Sequence, residues 1–357
     1  MIRLGFPDLG AAELQAVADV LESGQLTMGP KVAEFEELLA HACEVDHAVA
    51  VSSGTAALHL AVLALGLGPG DEVLIPAFTF PATANVVALA GARPVLVDVD
   101  PRTMNLDLDR AAAAVTPRTR AVLAVHLFGR PLDWDGLATA VPAGVQLVED
   151  AAGALAARYR GRACGGLGVL ACLSFHPRKI VTTGEGGAVT TAHPEVATTI
   201  RRLRHHGITA STPFAIEQPG LNYRLSDILC AVGIPQLRRL EELLAARERL
   251  AAGYEERLRV LDLELPAAAA GDRHGWQAYV VQLDRRDEVL ASLRADGIEA
   301  QLGTYALSRL GAYRDQGSFP GAEACEDRTL ALPFHLRLTE GDLDQVAAAL
   351  ARALDKK

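Results

Sequence analysis

Apolar residues recur along this chain at two different spacings. Residues 10–23, GAAELQAVADVLES, place them at intervals of three and four and stop at Gly24, which predicts a helix. Short runs rich in Val, Leu and Ile follow: HAVAVSS (47–53), DEVLIP (71–76), RPVLVDVD (93–100), TRAVLAVH (119–126) and VQLVED (145–150). Helix-like segments lie between them: AALHLAVLALG after Gly54-Thr55, PATANVVALAGA (81–92), LDRAAAAV (108–115) and WDGLATAV. Strands this apolar have no solvent face. Alternating with helices, they predict βαβ units in a parallel sheet covered on both sides.

Two more apolar runs come next, GVLACLSF (168–175) and GGAVTT (186–191), then the helix-like PEVATTIRRLRHHG. From Leu225 to about Leu261 the spacing predicts a long helix kinked near Gly233 and Pro235. Beyond the Pro/Ala/Gly-rich LELPAAAAGDR the texture changes. WQAYVVQL (276–283) predicts a strand, RDEVLASLRADG a helix ending at Gly297, and LTEGDLDQVAAALARAL a terminal helix capped by Thr339. The expected organisation is a large α/β domain over residues 1–249, N-terminal helix included, and a smaller C-terminal α+β domain over 250–357.

Composition narrows the function classes. Half of the 357 residues are hydrophobic, enough for a large core. The net charge of −10 argues against nucleic acid or an anionic membrane as the main partner, although a local Arg cluster can still receive a small anion. The five cysteines are odd in number and form no C-x-x-C pair, so neither a disulfide framework nor a thiolate zinc site is expected, and no metal. Cys172 and Cys230 sit in apolar runs as small hydrophobes. The N-terminal MIRLGFPDLG lacks the apolar core of a signal peptide, and AALHLAVLALGLG is too short to span a bilayer. A cytoplasmic location is the expectation.

Four segments end apolar strands with polar or glycine residues, where ligand sites collect in open α/β sheets. Ser52 to Thr55, SSGT, opens a helix and suits an anion, or is a plain N-cap. Asp150 ends the VED strand as a ligand-binding acid or a turn residue. In SFHPRKIVTTGEGG (174–187), Ser174 ends a strand and Lys179 precedes a glycine-rich turn that is not a P-loop. Alone, that lysine reads as an exposed one. GLNYRLSD (220–227) puts Asn222 and Arg224 in a loop before the long helix. Together, a phosphate cradle, a strand-end acid and a loop lysine are the parts of a pyridoxal phosphate (PLP) site.

With those segments in order, the chain resembles the DegT/StrS family of PLP-dependent nucleotide-sugar aminotransferases, which have the aspartate aminotransferase fold, type I. The resemblance runs through SGQLTMGPKVAEFEELLA (23–40), residues 48–87, VHLFG (125–129), VEDAA (148–152), residues 174–191, LNYRLSDILCAVG (221–233) and LPFHLRLTEGD (332–342). It implies that Lys179 forms the Schiff base and Asp150 bonds the pyridine nitrogen. Gly54 and Thr55 hold the phosphate with Ser174, and Phe80 stacks on the ring. Asn222 reaches the phosphate in the neighbouring subunit of a homodimer with shared sites. L-glutamate would aminate the cofactor to its PMP form, releasing 2-oxoglutarate, and a nucleotide-linked keto-sugar would accept the amine.

The chain also departs from the family. Where A-A-Q-A-H-G-A is usual after the acid, it reads AAGALAA, so Gly153 replaces a glutamine that bonds the ring hydroxyl. GTYALSRL (303–310) lacks a histidine often found there. An acceptor such as a cyclitol or another cyclic ketone stays open at this point. The related sugar dehydratases carry histidine at the lysine position, which Lys179 argues against. A non-catalytic regulatory protein on the same scaffold is disfavoured by the acidic balance. Arg178, Arg224 and RRLRHH (201–206) are candidates to face a nucleotide diphosphate, the last also readable as a basic helix end.

Overall fold

The computed structural model describes residues 1–211 and 213–355. Along the first half run β1 (His47–Val51), β2 (Glu72–Pro76), the two-residue β3 (Phe78–Thr79), β4 (Arg93–Val97), β5 (Thr119–Val125) and β6 (Gln146–Asp150). The small pair β7 (Arg158–Tyr159) and β8 (Arg162–Ala163) precedes β9 (Leu170–Ser174) and β10 (Gly187–Thr191). All but β3, β7 and β8 join one seven-stranded sheet in the order β1-β10-β9-β6-β5-β2-β4. The sheet is parallel except for β10, which is antiparallel to both neighbours. No crossover helix separates β9 from β10, and a parallel pairing would need one, so the chain returns antiparallel.

Strand residues alternate between two cores. Ala48, Ala50, Leu74, Val122, Ala124 and Leu173 join the cluster under α2 (Pro30–Ala42), α6 (Trp134–Ala140) and α8 (Asp227–Arg238). Val49, Val51, Ile75, Leu123, Val125 and Cys172 face α3 (Gly54–Ala64), α4 (Ala82–Leu89) and α7 (Pro194–Arg204) on the other side. This is the doubly covered α/β sheet that the apolar strands anticipate. The helices α1 (Ala11–Ser23) and α5 (Leu108–Ala114) also lie where the periodicity puts them. All five cysteines are buried and free.

The long helix differs from expectation. α8 runs through Pro235 without ending, and the break falls at Arg239 (φ −113°, ψ 24°), before α9 (Leu240–Leu258). Proline removes one helical hydrogen bond, but here buried Ile234, Gln236 and Leu237 hold the helix on both sides of it. The Gln236 carboxamide pairs with Thr182, accepting from its N–H (2.9 Å) and donating to its C=O (2.8 Å). At the break, the Arg239 guanidinium reaches back to Asp8 and Glu13.

The hairpin β11 (Ile208–Ser211) and β12 (Phe214–Ile216) leaves the surface after α7. In the C-terminal part, β13 (Tyr279–Gln282), β14 (Gln301–Leu302) and β16 (Thr329–Leu332) form a sheet in the order β13-β16-β14. Between the last two, β15 (Tyr305–Ala306) pairs with β3 instead, Tyr305 opposite Thr79, which ties this part to the edge of the large sheet's loops. With α9, α10 (Arg286–Ala295) and α12 (Glu340–Asp355) it surrounds a third apolar cluster that includes Tyr254, Tyr279, Leu293 and Val346, while α11 (Pro320–Arg328) places Ala322 and Cys325 in the cluster under α3 and α4. Ile2 joins that cluster and bridges to Ile298. Thr339 caps α12 reciprocally with Asp342: its Oγ1 accepts from the Asp342 N–H (3.2 Å), and Asp342 Oδ2 accepts from the Thr339 N–H (2.8 Å). Among the described residues no helix is long and apolar enough to cross a membrane.

Candidate active site

The carboxyl ends of β6 and β9 open onto a cleft of about 370 Å³. Three of the four strand-end segments meet there. Ser53 caps α3, its Oγ accepting from the Ala56 N–H (3.0 Å), and Gly54 and Thr55 turn the helix N-terminus toward the cleft. A Cβ at Gly54 would lie 2.8 Å from Ser174 Cβ and 3.1 Å from its Oγ, so only glycine lets the helix start this close to β9. Unpaired N–H groups, the hydroxyls of Thr55 and Ser174 and the positive end of the helix dipole make a cradle for an anion.

Asp150 is buried at the end of β6. Its Oδ2 accepts from Thr83 Oγ1 (2.7 Å) and its Oδ1 from the Ala152 N–H (3.2 Å). Burial raises this carboxyl above its ordinary value, while those two bonds and the nearby Lys179 and His126 pull it back down. A cationic partner in the cleft would relieve the same penalty. Lys179 lines the cleft from the loop between β9 and β10. Burial pushes its amine down to about 8; Asp150 opposes that and Arg178 adds to it. An amine in that range is partly neutral near physiological pH and is a usable nucleophile.

The loop that carries Lys179 is pinned at several points. The Lys179 N–H donates to His176 C=O (2.8 Å), the Thr182 hydroxyl and the Thr183 N–H both donate to Phe175 C=O, and Gln236 clasps Thr182. The backbone that carries the lysine is therefore held without a ligand. Phe80 lines the cleft and is 62% exposed, an aromatic face free to cover a ring.

Asn222 does not line this cleft. It is exposed and pairs through its backbone with His205, while Arg224 donates to His205 Nδ1 (2.6 Å). Of the basic candidates, Arg178 reaches the cleft and donates to Gln301 (2.9 Å). Arg204 does not: it is buried, and its guanidinium donates to Glu36 and to Ala50 C=O (2.6 Å each). His126 also borders the cleft, with both ring nitrogens engaged, by the Leu132 N–H (3.0 Å) and by Glu149 (3.0 Å). Glu149 accepts three backbone N–H groups besides, which makes this buried pair a scaffold under the floor.

Thr83, Gln277, Gln301, Thr304 and Tyr305 are site residues that no sequence motif announces. Thr83 sits in an ordinary helix pattern, and the other four come from a region distant in sequence.

The cleft's parts suit a ligand with an anionic arm, a carbon open to an amine, and a basic ring nitrogen for Asp150. Similarity points the same way. The GDP-perosamine synthase of Caulobacter vibrioides is 41% identical over 364 residues, covering 99% of this chain and 98% of the relative. The aminotransferase TlmJ from Streptoalloteichus hindustanus is 37% identical with a TM-score of 0.96, covering 99% of both chains. Spr1654 from Streptococcus pneumoniae, solved in a PLP form, is 29% identical with a TM-score of 0.96 and 99% of both chains covered. Residues 7–351 match the DegT/DnrJ/EryC1/StrS aminotransferase family, and the chain belongs to that family.

Proposed function

We propose that this chain is a PLP-dependent aminotransferase that moves an amino group onto a nucleotide-linked keto-sugar, with L-glutamate as donor and 2-oxoglutarate as by-product. The observation that carries it is the meeting of the Lys179 amine, the buried Asp150 carboxyl and the anion cradle at Gly54 in one cleft. PLP fits those parts. Gly54, Thr55 and Ser174 would hold its phosphate, Asp150 its ring nitrogen, and Phe80 would cover its face. When bound, PLP supplies an aldehyde that joins amines covalently and a protonated ring that draws electrons from the adjoining carbon.

The chain's own residues do the rest. The cradle anchors the phosphate and so sets where reacting carbons lie relative to Lys179. Asp150, held by Thr83 and Ala152, would accept from a protonated ring nitrogen and so favour that protonation. Lys179 Nζ would accept the proton leaving the donor's α-carbon and deliver it to the former aldehyde carbon of the cofactor, on the other side of the nitrogen that links the two. An amine near 8 is suited to both roles. For the acceptor sugar the same proton transfer runs in reverse.

The relative named for a GDP-linked amino sugar makes GDP-linked keto-sugars the first acceptors to try. Asn222 is exposed and outside its own cleft, which supports its service to a partner's phosphate in a homodimer. Residues 1–249 would form the cofactor domain and 250–357 the smaller domain that brings Gln277, Gln301 and Tyr305 to the cleft. Free, buried cysteines favour the cytoplasm.

The test is a panel of nucleotide-linked 3-keto and 4-keto sugars with glutamate, read by 2-oxoglutarate formation. Lys179→Ala should fold and lose turnover. Wild-type rates from that variant, or no product from any sugar, would sink the assignment.

A further inference from the structure

On the side of Asp150 away from the anion cradle, the cleft holds polar side chains without a protein partner among the described residues, and Gln277 is the one that lies against Gly153. Its carboxamide forms no hydrogen bond among the described residues, although its backbone is tightly held. The Gln277 N–H donates to Phe128 C=O (3.1 Å), and the Gly275 N–H donates to Gly129 C=O (2.8 Å). Buried Arg247 donates to the carbonyls of Trp276 (2.8 Å) and Gln277 (3.4 Å). Trp276 takes a left-handed φ of 47°, and its N–H donates to His274 Nδ1 (2.8 Å). A Cβ at Gly129 would lie 3.0 Å from Trp276 N and 3.1 Å from Gln277 N, so this junction closes only on glycine. Such a construction fixes where one side chain points.

That side chain lies over Gly153. A Cβ there would meet Gln277 Oε1 at 3.3 Å and Cγ at 3.4 Å. Sheet order then locates it relative to the ligand. The cradle follows β1 and β9, on one side of β6. Gly129, against which Gln277 packs, follows β5, on the other side. In PLP, ring nitrogen and aldehyde carbon lie at opposite ends of the ring, and the phosphate arm and the hydroxyl oxygen flank the aldehyde carbon on opposite sides. With the nitrogen at Asp150 and the phosphate at Gly54, the oxygen faces the β5 side. His126 has no ring hydrogen to spare there, and Leu127 and Phe128 are apolar.

We propose that Gln277, from the C-terminal part of the chain, is a cofactor-binding residue whose amide donates a hydrogen bond to the PLP ring oxygen across Gly153. This rests on the cofactor placement given above. The visible band of a cofactor joined to Lys179 titrates on the nitrogen of that bond, beside the ring oxygen. A donor to the oxygen favours the form in which this nitrogen has lost its proton, so removing the donor raises the midpoint.

The experiment is a spectroscopic pH titration of holoenzyme, wild type against Gln277→Met, which keeps volume and removes the donor. The midpoint should rise by about one pH unit. The other titratable and charged groups around the cleft (Asp150, His126, Glu149, His176, Arg178, Lys179, Glu185, Tyr305), and Arg247 and His274 behind Gln277, are common to both proteins. The pair Gly153→Gln with Gln277→Ala refills the same space from the other chain segment and should bring the midpoint back toward wild type. An unchanged midpoint with a raised KM for the acceptor sugar would place Gln277 on substrate and overturn the proposal. If wild type itself shows no Lys179-dependent band with PLP, the cofactor reading fails first and takes this proposal with it.

Discussion

Thr83→Val removes one hydroxyl hydrogen from the site and little else. Thr83 is fully buried in the first turn of α4, and its Oγ1 donates to Asp150 Oδ2 at 2.7 Å. Valine has the same shape, so packing is kept and a carboxylate loses one of two protein donors. A hydrogen bond to a charged group contributes about 1.5–3 kcal/mol, which corresponds to a further rise of about 1–2 pH units in the Asp150 carboxyl. Burial already holds that carboxyl above its unfolded value, so the native apo protein keeps this proton to higher pH than the unfolded chain. Its contribution to stability therefore falls as pH rises from the ordinary carboxylate range through the folded value. The substitution extends that fall. Well below the wild-type folded value the two proteins should differ little. The gap should open as pH rises through that value and be complete above the variant's own. Once the gap is complete it should amount to about 2–4 °C in the apo unfolding temperature. Unfolding midpoints of apo protein between about pH 4.5 and 8 test this, with Thr83→Ser as the variant that keeps the hydroxyl. A deficit of equal size at every pH, or a serine variant as damaged as the valine one, would refute the reasoning.

Three further outcomes are expected. Gly54→Ala puts a methyl 2.8 Å from Ser174 Cβ, so it should weaken PLP binding by about 10-fold or more, read by fluorescence titration, with far-UV circular dichroism unchanged. Because the Lys179 amine is pushed down to about 8, the rate at which apo protein combines with PLP should climb as pH rises toward 8 and level off above it. A lysine that is still reacting faster at pH 10 would contradict its placement. Arg204→Met leaves Glu36 at a mostly buried position without its cation, with only the Ala50 N–H to accept from, and should cost about 3–5 kcal/mol in urea unfolding, while the mechanism assigns Arg204 no part in the cleft.

Much of this protein was legible from its sequence, because the signals are local. Apolar runs of five or so residues between helical segments specify the doubly covered sheet, since a strand without a polar face has nowhere to lie but inside. Glycine beside Ser and Thr at a helix start, an acid at a strand end and a lysine before TTGEGG mark three parts of the site for the same reason: each is a short stretch with its own chemistry. Local pattern failed where long-range closure decides. The long helix was expected to kink near Gly233 and Pro235, but packing around Ile234 and the Gln236–Thr182 pair carries the helix past the proline, and the interruption falls at Arg239. Thr83 becomes the partner of Asp150 only when α4 packs over β6. Gln277 comes to lie over Gly153 only because the distant segments at Gly129 and Gly275 can close on each other where a glycine stands. Spacing along a chain records which residues share a face; it does not record which faces meet. The lysine and the acid that meet in the cleft were thus marked by sequence, and the amine's lowered pKa, the acid's hydroxyl donor and the amide over Gly153 were decided by tertiary structure alone.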